Sequence, residues 1–151
     1  MCDVDGTLAD DSYRISHLFP PEGSPTYDRA EFDLASIDDP PIPYMVETVR
    51  QLARSYDIII MTGRLDVAAE VTAEWLDRYD IPWEELLMRR LEDEQSNHAL
   101  KVAMYEEVIG PMQRQVELVI DNSSQAISAL TDRGVNTLHV NRPPSPLDGE
   151  G

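Results

Sequence analysis

Positive charge is scarce in this chain of 151 residues, which has 12 Lys and Arg residues against 29 Asp and Glu residues and a formal net charge of -17. Lys101 is the only lysine, so every other basic residue is an arginine. A protein that tracks a phosphate backbone needs a basic stripe, and this sequence has none. The composition therefore excludes an extended nucleic-acid-binding surface. It leaves three explanations for the acidity open: a solvated, self-repelling surface, a cleft that attracts cations, or life at high salt.

Cysteine and long apolar runs are scarce too. Cys2 is the only cysteine, so the chain cannot form an internal disulfide, and the sequence lacks the charged start and apolar middle of a signal peptide. Its longest apolar runs, such as residues 58–61, have the length of a strand and are too short to cross a bilayer. The length fits one domain with a core of its own. We expect a cytoplasmic protein that does not associate with membranes.

What the sequence does contain is an alternation of apolar strand-length segments with amphipathic helical ones. The predicted strands are residues 57–61, 86–88, 116–120 and 136–140. The predicted helices are residues 43–56, 66–80, 99–109 and 124–134. Strands that alternate with helices pair in parallel through right-handed crossovers. The predicted fold class is α/β, a three-layer doubly wound parallel sheet.

Three parts of the chain depart from that alternation. Residues 12–43 are rich in Pro, Asp and Gly and too long for an ordinary loop, which predicts a small cap inserted after the first strand. Residues 142–151 have the composition of a disordered tail, so the predicted domain is 1–141. Only two residues precede Asp3 on the first strand. That strand is either a short stub, or the chain begins downstream of its true start.

Candidate residues stand at four places: after the first strand, after the strands at 57–61 and 116–120, and at the start of the helix at 99–109. In a doubly wound sheet, ligands bind beyond the carboxyl ends of the strands. Carboxylates there suit a hard cation such as Mg²⁺, and a hydroxyl and an ammonium group beside it suit phosphoryl transfer. The residues concerned are Asp3, Asp5, Thr62, Gly63, Arg64, Lys101, Asp121 and Asn122.

The segments "DVDGTLAD" and "VIDN", with Thr62 and Lys101 between them, resemble the haloacid dehalogenase superfamily of aspartate-nucleophile phosphatases. The resemblance implies a Rossmann-like fold in which Asp3 is the nucleophile and forms an aspartyl-phosphate. It implies that Asp5 is the general acid and base, and that Thr62 and Lys101 hold the phosphoryl oxygens. Mg²⁺ would bind to Asp121, the Asp3 side chain and the Asp5 backbone carbonyl.

Three further strings, "LMRRLEDEQSNHALK", "TAEWL" and "TYDRAEFDLASIDDPPIP", are similar to the 3'-phosphatase domain of phage-type polynucleotide kinase-phosphatases. That resemblance implies a phosphorylated nucleotide or polynucleotide 3' end as substrate and places Arg89 near the active site. In that family the residues after the metal aspartate often read Asp-Arg, whereas this chain has Asn122 and Ser123. The candidate substrate-binding residues are Gly63, Arg64, Arg89, Arg14 and Asn122.

Alternatives remain open for the arginines and for the function. A surface ion pair is the alternative role for Arg14, Arg64 and Arg89. A small-molecule 5'-nucleotidase or sugar phosphatase would suit the strong negative charge. A non-catalytic remnant of the same fold, acting as a binding module, would explain the short first strand.

Overall fold

The computed structural model describes residues 1–18, 22 and 28–142, and within them a parallel sheet forms the middle of the molecule. The sheet consists of two parallel pairs, β1 with β2 and β3 with β4. Its strands are β1 (Ile59–Leu65), β2 (Glu85–Arg89), β3 (Val119–Asp121) and β4 (Thr137–His139).

The first three residues join these two pairs into one sheet. Cys2 forms parallel bridges to Ile60 of β1 and to Ile120 of β3. Its amide donates to the Ile59 carbonyl at 2.9 Å, and the Asp3 amide donates to the Ile120 carbonyl at 2.9 Å. The order is therefore β2, β1, the N-terminal stub, β3, β4. Asp3 lies at the carboxyl edge of the sheet, between its two halves.

Six α-helices follow or precede the strands in the described part of the chain. The proline ring of Pro43 fits the first turn of a helix, where its missing N–H costs nothing. The hydroxyls of Ser96 and Ser123 cap two later helices by accepting amide hydrogen bonds. The helices are α1 (Ser12–Leu18), α2 (Arg29–Leu34), α3 (Pro43–Leu52), α4 (Ala69–Arg78), α5 (Asn97–Ile109) and α6 (Ser124–Thr131).

Two apolar clusters cover the two faces of the sheet. Successive side chains of a strand point to opposite faces, so Ile60 joins a cluster with residues of α3 and α4, and Met61 joins a cluster with residues of α5 and α6. Helices therefore lie on both faces of a parallel sheet. This confirms the predicted α/β sandwich.

The segment between residues 12 and 43 contains two short helices and one 3-10 turn, Ala35–Asp38, in its described part. The Ile42 amide donates to the Leu8 carbonyl at 2.7 Å and returns the chain to the sheet edge. Its role as a cap stays a prediction. The predicted tail lies almost entirely outside the described residues.

Several predicted boundaries were wrong. The helix predicted to end at residue 56 ends at Leu52, and the strand predicted to begin at residue 116 begins at Val119. We expected the strand at 57–61 to end before Thr62, but β1 continues to Leu65. Its register with β2 shifts between Met61 and Leu65, so the strand carries an irregularity there. Such irregularities re-aim side chains next to active sites.

No helix in the described residues combines the length and the apolarity that a membrane span requires.

Candidate active site

A buried ammonium group joins two carboxylates at the centre of the carboxyl edge. Lys101 Nζ, from α5, lies 2.6 Å from Asp3 Oδ1 and 2.9 Å from Asp121 Oδ2, and it also donates to the Met61 carbonyl at 3.2 Å. All three charged side chains are almost fully buried. The stub, β3 and the start of α5 thus bring Asp3 into contact with a lysine that lies 98 positions further along the chain.

Burial and the neighbouring opposite charges have opposing effects on the pKa values of Asp3 and Lys101. Burial raises the pKa of the Asp3 carboxyl to about 7, against the opposing effect of Lys101 and with a further rise from Asp121. Burial by itself would lower the pKa of Lys101, but the carboxylates of Asp3 and Asp121 outweigh it and raise that pKa. Lys101 is therefore a permanent cation beside Asp3.

Asp5 lies two residues further on and is held by two arginines. Arg64 approaches it through two nitrogens, with Nη2 2.6 Å from Asp5 Oδ1 and Nε 3.0 Å from Asp5 Oδ2. Arg14 Nη2 lies 2.9 Å from the same Oδ1. Both guanidinium groups have no exposed side-chain surface, whereas 23% of the Asp5 side chain is exposed. The arginines contact both carboxylate oxygens of Asp5 and leave part of its side chain exposed.

Further residues fix these two arginines. Asp39, fully buried, accepts from Arg14 Nε at 2.8 Å and from its Nη2 at 2.7 Å. Thr72 of α4 accepts from Arg64 Nη1 at 3.0 Å. Sequence analysis missed Asp39, because nothing in "DDPP" distinguishes it from other surface acids. Arg14 and Arg64 were predicted to contact substrate, and the structure places both on Asp5.

The arginines also determine the protonation state of Asp5. Burial alone would raise the pKa of Asp5, but Arg64 and then Arg14 outweigh it and hold that pKa below its ordinary value. Asp5 is therefore ionised at neutral pH, in the state that a general base requires.

A tight turn after the stub places Asp3 and Asp5 at the cleft. Gly6 has a φ of 78°, and the amides of Thr7, Leu8 and Ala9 all donate to the Val4 carbonyl. A Cβ atom at Gly6 would lie 2.2 Å from the side-chain amide of Asn122. Glycine is required here both for its backbone conformation and for space.

Oxygen atoms converge beside Asp3 in a way that suits a cation. One atom of the Asn122 amide lies 3.0 Å from Asp3 Oδ2 and 3.1 Å from the Asp5 carbonyl oxygen. In the orientation that satisfies its hydrogen bonds, this atom is the amide nitrogen and donates to both oxygens. The Asp3 carboxylate and the Asp5 carbonyl supply oxygen, the donor type that Mg²⁺ prefers, and rotation of the Asn122 amide would add a third oxygen. The residues present fit such a cation.

The structure shows no cluster of three His, Cys, Asp or Glu side chains arranged for a metal in the part of the chain it describes. The set beside Asp3 contains an amide and a backbone carbonyl, so it is not a cluster of that kind. Asp121 uses Oδ2 for Lys101 and Oδ1 for the Ser123 amide, which donates at 2.8 Å. Its predicted role as a metal ligand stays a prediction.

Thr62 and Gly63 form the neighbouring wall of the site. Thr62 is fully buried, and its Oγ1 accepts from the Arg64 amide at 3.2 Å. Thr7, which sequence analysis did not single out, donates to Asp3 Oδ2 at 3.1 Å. Its place in the "DGT" turn, four residues after Asp3, was the available signal.

Arg89 lies at the end of β2 and contacts backbone carbonyls. Its Nε is 3.4 Å from the Gly63 oxygen, and its Nη1 is 3.0 Å from the Asp93 oxygen and 2.7 Å from the Gln95 oxygen. Its side chain is 12% exposed. The structure therefore brings Arg89 next to Gly63, at the edge of the site, and ties it to the loop before α5.

A cavity of about 660 Å³ lies away from this chemistry, at the amino end of the stub, where Met1, Ile59 and Leu118 contribute to its lining. Asp3, Asp5 and Lys101 do not line it. The candidate site lies at the carboxyl edge of the sheet, apart from this cavity.

Residues 1–143 match the family model described as the polynucleotide kinase PNKP phosphatase domain. The comparison with curated proteins finds no significant match.

Solved structures with the same fold include two from the Pnkp1/Rnl/Hen1 RNA repair complex. Both are 24% identical to this chain, with TM-scores of 0.70 and 0.72, and cover 93% and 95% of it but only 41% and 46% of their own chains. This chain therefore spans less than half of those relatives. A haloacid dehalogenase-like hydrolase from Streptococcus pneumoniae has a TM-score of 0.63 and 14% identity, and the match covers 93% of this chain and 82% of that one.

Proposed function

The chain belongs to the polynucleotide kinase PNKP phosphatase domain family, whose members are haloacid dehalogenase-like phosphatase domains. From this premise we propose that it is a Mg²⁺-dependent phosphomonoesterase with Asp3 as its nucleophile. The observation that carries the proposal is the placement of two carboxylates with opposite surroundings at one edge of the sheet. Asp3 contacts a single lysine in a buried cluster, and Asp5 is ionised between two arginines. Two titratable groups in contrasting environments take different roles in acid–base chemistry.

The reaction would proceed in two displacements. In the first, an oxygen of Asp3 forms a bond to phosphorus while the bond from phosphorus to the leaving oxygen breaks, and that oxygen takes a proton from Asp5 in its acid form, which gives an aspartyl-phosphate and an alcohol. In the second, Asp5 takes a proton from a water molecule as its oxygen attacks phosphorus, and the Asp3–phosphorus bond breaks. Phosphate leaves, and Asp3 regains its carboxylate.

Each positioning residue has a definable part in these steps. Lys101 balances charge on Asp3 and holds an oxygen of the phosphoryl group, and the Thr62 hydroxyl holds another. Mg²⁺, bound by Asp3, the Asp5 carbonyl and either Asn122 or Asp121, would neutralise charge on the phosphoryl oxygens.

The arginines of Asp5 favour its role as a base over its role as an acid. A carboxylate with a lowered pKa carries no proton to give to a leaving group. For Asp5 to act first as the acid, arriving substrate must draw charge away from the Asp5–arginine contacts. Asp39 and Thr72 keep both arginines in place, so we propose that Asp5 is tuned chiefly for the hydrolysis step.

The substrate we propose is the 3'-phosphate of a nucleotide or polynucleotide. Family membership supports it, and the net charge of -17 limits the contact to the last one or two nucleotides. The test is a panel of 3'-phosphorylated oligonucleotide, nucleoside 5'-monophosphate and p-nitrophenyl phosphate, each with and without Mg²⁺. We expect the 3'-phosphate to be preferred and every activity to require Mg²⁺. Brisk hydrolysis of the 5'-monophosphate alone would decide for a 5'-nucleotidase, and no turnover at all for a binding module.

Asn122→Asp should tighten Mg²⁺ binding by roughly tenfold, because it adds a carboxylate next to Asp3 and the Asp5 carbonyl. Without Mg²⁺ the same change should lower the melting temperature, since like charges then lie close together. Thermal unfolding across a Mg²⁺ titration measures both effects. Ser123→Asp, one position on, is the matched control for added charge. An unchanged Mg²⁺ response in Asn122→Asp would remove Asn122 from the proposed metal site.

Arg89→Ala should lower kcat/KM for a 3'-phosphorylated oligonucleotide by roughly tenfold, through loss of a charge-assisted contact at the rim of the site. The loss for p-nitrophenyl phosphate should be smaller, because that substrate has no nucleotide to contact. Steady-state kinetics on both substrates checks this. Equal losses would mean that Arg89 serves only to brace the loop carbonyls of Asp93 and Gln95.

A further inference from the structure

Two arginines from distant parts of the chain donate to one carbonyl oxygen beside the site. Arg29 Nη2, from α2 of the insert, lies 2.9 Å from the Gly63 oxygen. Arg89 Nε, from the end of β2, lies 3.4 Å from the same oxygen. Gly63 directly follows Thr62, so the two guanidinium groups converge one residue from the hydroxyl proposed to hold the phosphoryl group.

Each of the two arginines also has one carboxylate near it. Asp33 accepts from Arg29 Nε at 3.2 Å and 3.0 Å and from the Leu65 amide at 2.7 Å, so it engages the Nε side of Arg29 and not Nη2. Asp93 Oδ1 is 3.9 Å from Arg89 Nη1, beyond hydrogen-bond distance. Since Arg29 Nη2 and Arg89 Nε share the Gly63 oxygen, the two guanidinium groups lie close enough together to donate to one anion.

Space around Gly63 is limited on its other side. A Cβ atom at Gly63 would lie 2.7 Å from the Asn97 side-chain oxygen. A side chain at position 63 would therefore displace the Asn97 side chain. The Arg29 side chain is 49% exposed, so its guanidinium meets solvent at the mouth of the cleft.

We propose that Arg29 and Arg89 form an anion subsite for a second phosphate of the substrate, the one on the 5' oxygen of the sugar whose 3'-phosphate is hydrolysed. The inference rests on the proposed 3'-phosphatase function. A guanidinium group presents paired donors that match phosphate oxygens. In a polynucleotide this second phosphate is the link to the preceding nucleotide, so the subsite selects nucleotide ends over simple phosphate esters.

If Arg29 only joined the insert to the sheet, a second arginine on the same Gly63 oxygen would not be needed. Arg78 of α4 provides the comparison, because it pairs with Glu74 at 3.0 Å and donates to the Ile37 carbonyl of the insert at 3.0 Å. That contact joins the insert to the sandwich with one arginine and one carbonyl. At Gly63 a second arginine shares the same oxygen, next to the catalytic residues.

The test compares thymidine 3',5'-bisphosphate with thymidine 3'-monophosphate as substrates. We expect wild-type kcat/KM to be higher for the bisphosphate by roughly tenfold or more, and Arg29→Ala to reduce that ratio by about tenfold, chiefly through KM. Arg29→Lys should restore part of the ratio by keeping the charge. Arg78→Ala is the matched control, since it removes the same charge and the same type of contact, and should leave the ratio unchanged.

Each other outcome is also informative. Equal losses on both substrates in Arg29→Ala, or a wild-type ratio near one, would overturn the subsite while leaving the 3'-phosphatase function intact. If wild type hydrolyses neither of these compounds nor a 3'-phosphorylated oligonucleotide, the proposed function fails. Calorimetric titration with the bisphosphate in Mg²⁺-free solution then decides separately: binding that weakens about tenfold in Arg29→Ala supports the subsite, and binding equal to wild type overturns it.

Discussion

Asp3→Asn should abolish phosphatase turnover, with a fall in kcat of at least ~10³-fold, because the amide is isosteric but cannot attack phosphorus. It also removes a negative charge from the proposed Mg²⁺ site and from Lys101, whose Nζ lies 2.6 Å from Asp3 Oδ1. Hydrolysis of p-nitrophenyl phosphate by the purified variant measures the loss.

Asp10→Asn is the matched control, since it makes the same chemical change in the same N-terminal segment. Asp10 contacts Ser12 and Arg142 and has no described contact with Asp3 or Lys101. We expect its kcat to stay close to that of wild type. Wild-type turnover by Asp3→Asn would refute the proposed mechanism as a whole.

Lys101→Met should lower the free energy of unfolding by about 3–5 kcal/mol in Mg²⁺-free solution, because it leaves two buried carboxylates without their cation. Asp3 and Asp121 each lie within 3 Å of Lys101 Nζ, and both are at least 95% buried. Added Mg²⁺ should restore part of the stability by supplying positive charge next to Asp3. Urea unfolding with and without Mg²⁺ measures both quantities.

Lys101→Arg separates charge from shape at the same position. It keeps the positive charge, so its stability should exceed that of Lys101→Met, but a planar guanidinium is wider than an ammonium group and should still reduce kcat severely. Arg133→Met removes a half-exposed positive charge from the surface and is the control, with an expected change within ~0.5 kcal/mol. Near-wild-type activity in Lys101→Arg would mean that Lys101 has only a structural role.

The sequence by itself determined the fold class and the set of candidate catalytic residues. Apolar segments alternate with amphipathic ones, and this periodicity depends only on local burial, so it can be read without coordinates. The sequence also places polar residues, Asp3, Thr62, Lys101 and Asp121, where predicted strands end or a helix begins. Ligands of a doubly wound sheet bind at that edge. This placement predicted that these residues meet at one edge of the sheet, and the structure places Asp3, Lys101 and Asp121 in direct contact there.

Only the tertiary structure decided the roles of the arginines. The sequence does not distinguish the roles of Arg14, Arg64 and Arg89. An arginine on the surface, beside a buried carboxylate or at a cleft is the same residue type. Long-range packing placed Arg14 and Arg64 in contact with Asp5. It brought Arg29, 34 residues away, onto the Gly63 carbonyl beside Arg89. Contacts of this kind depend on which elements the fold brings together, and no local pattern encodes them.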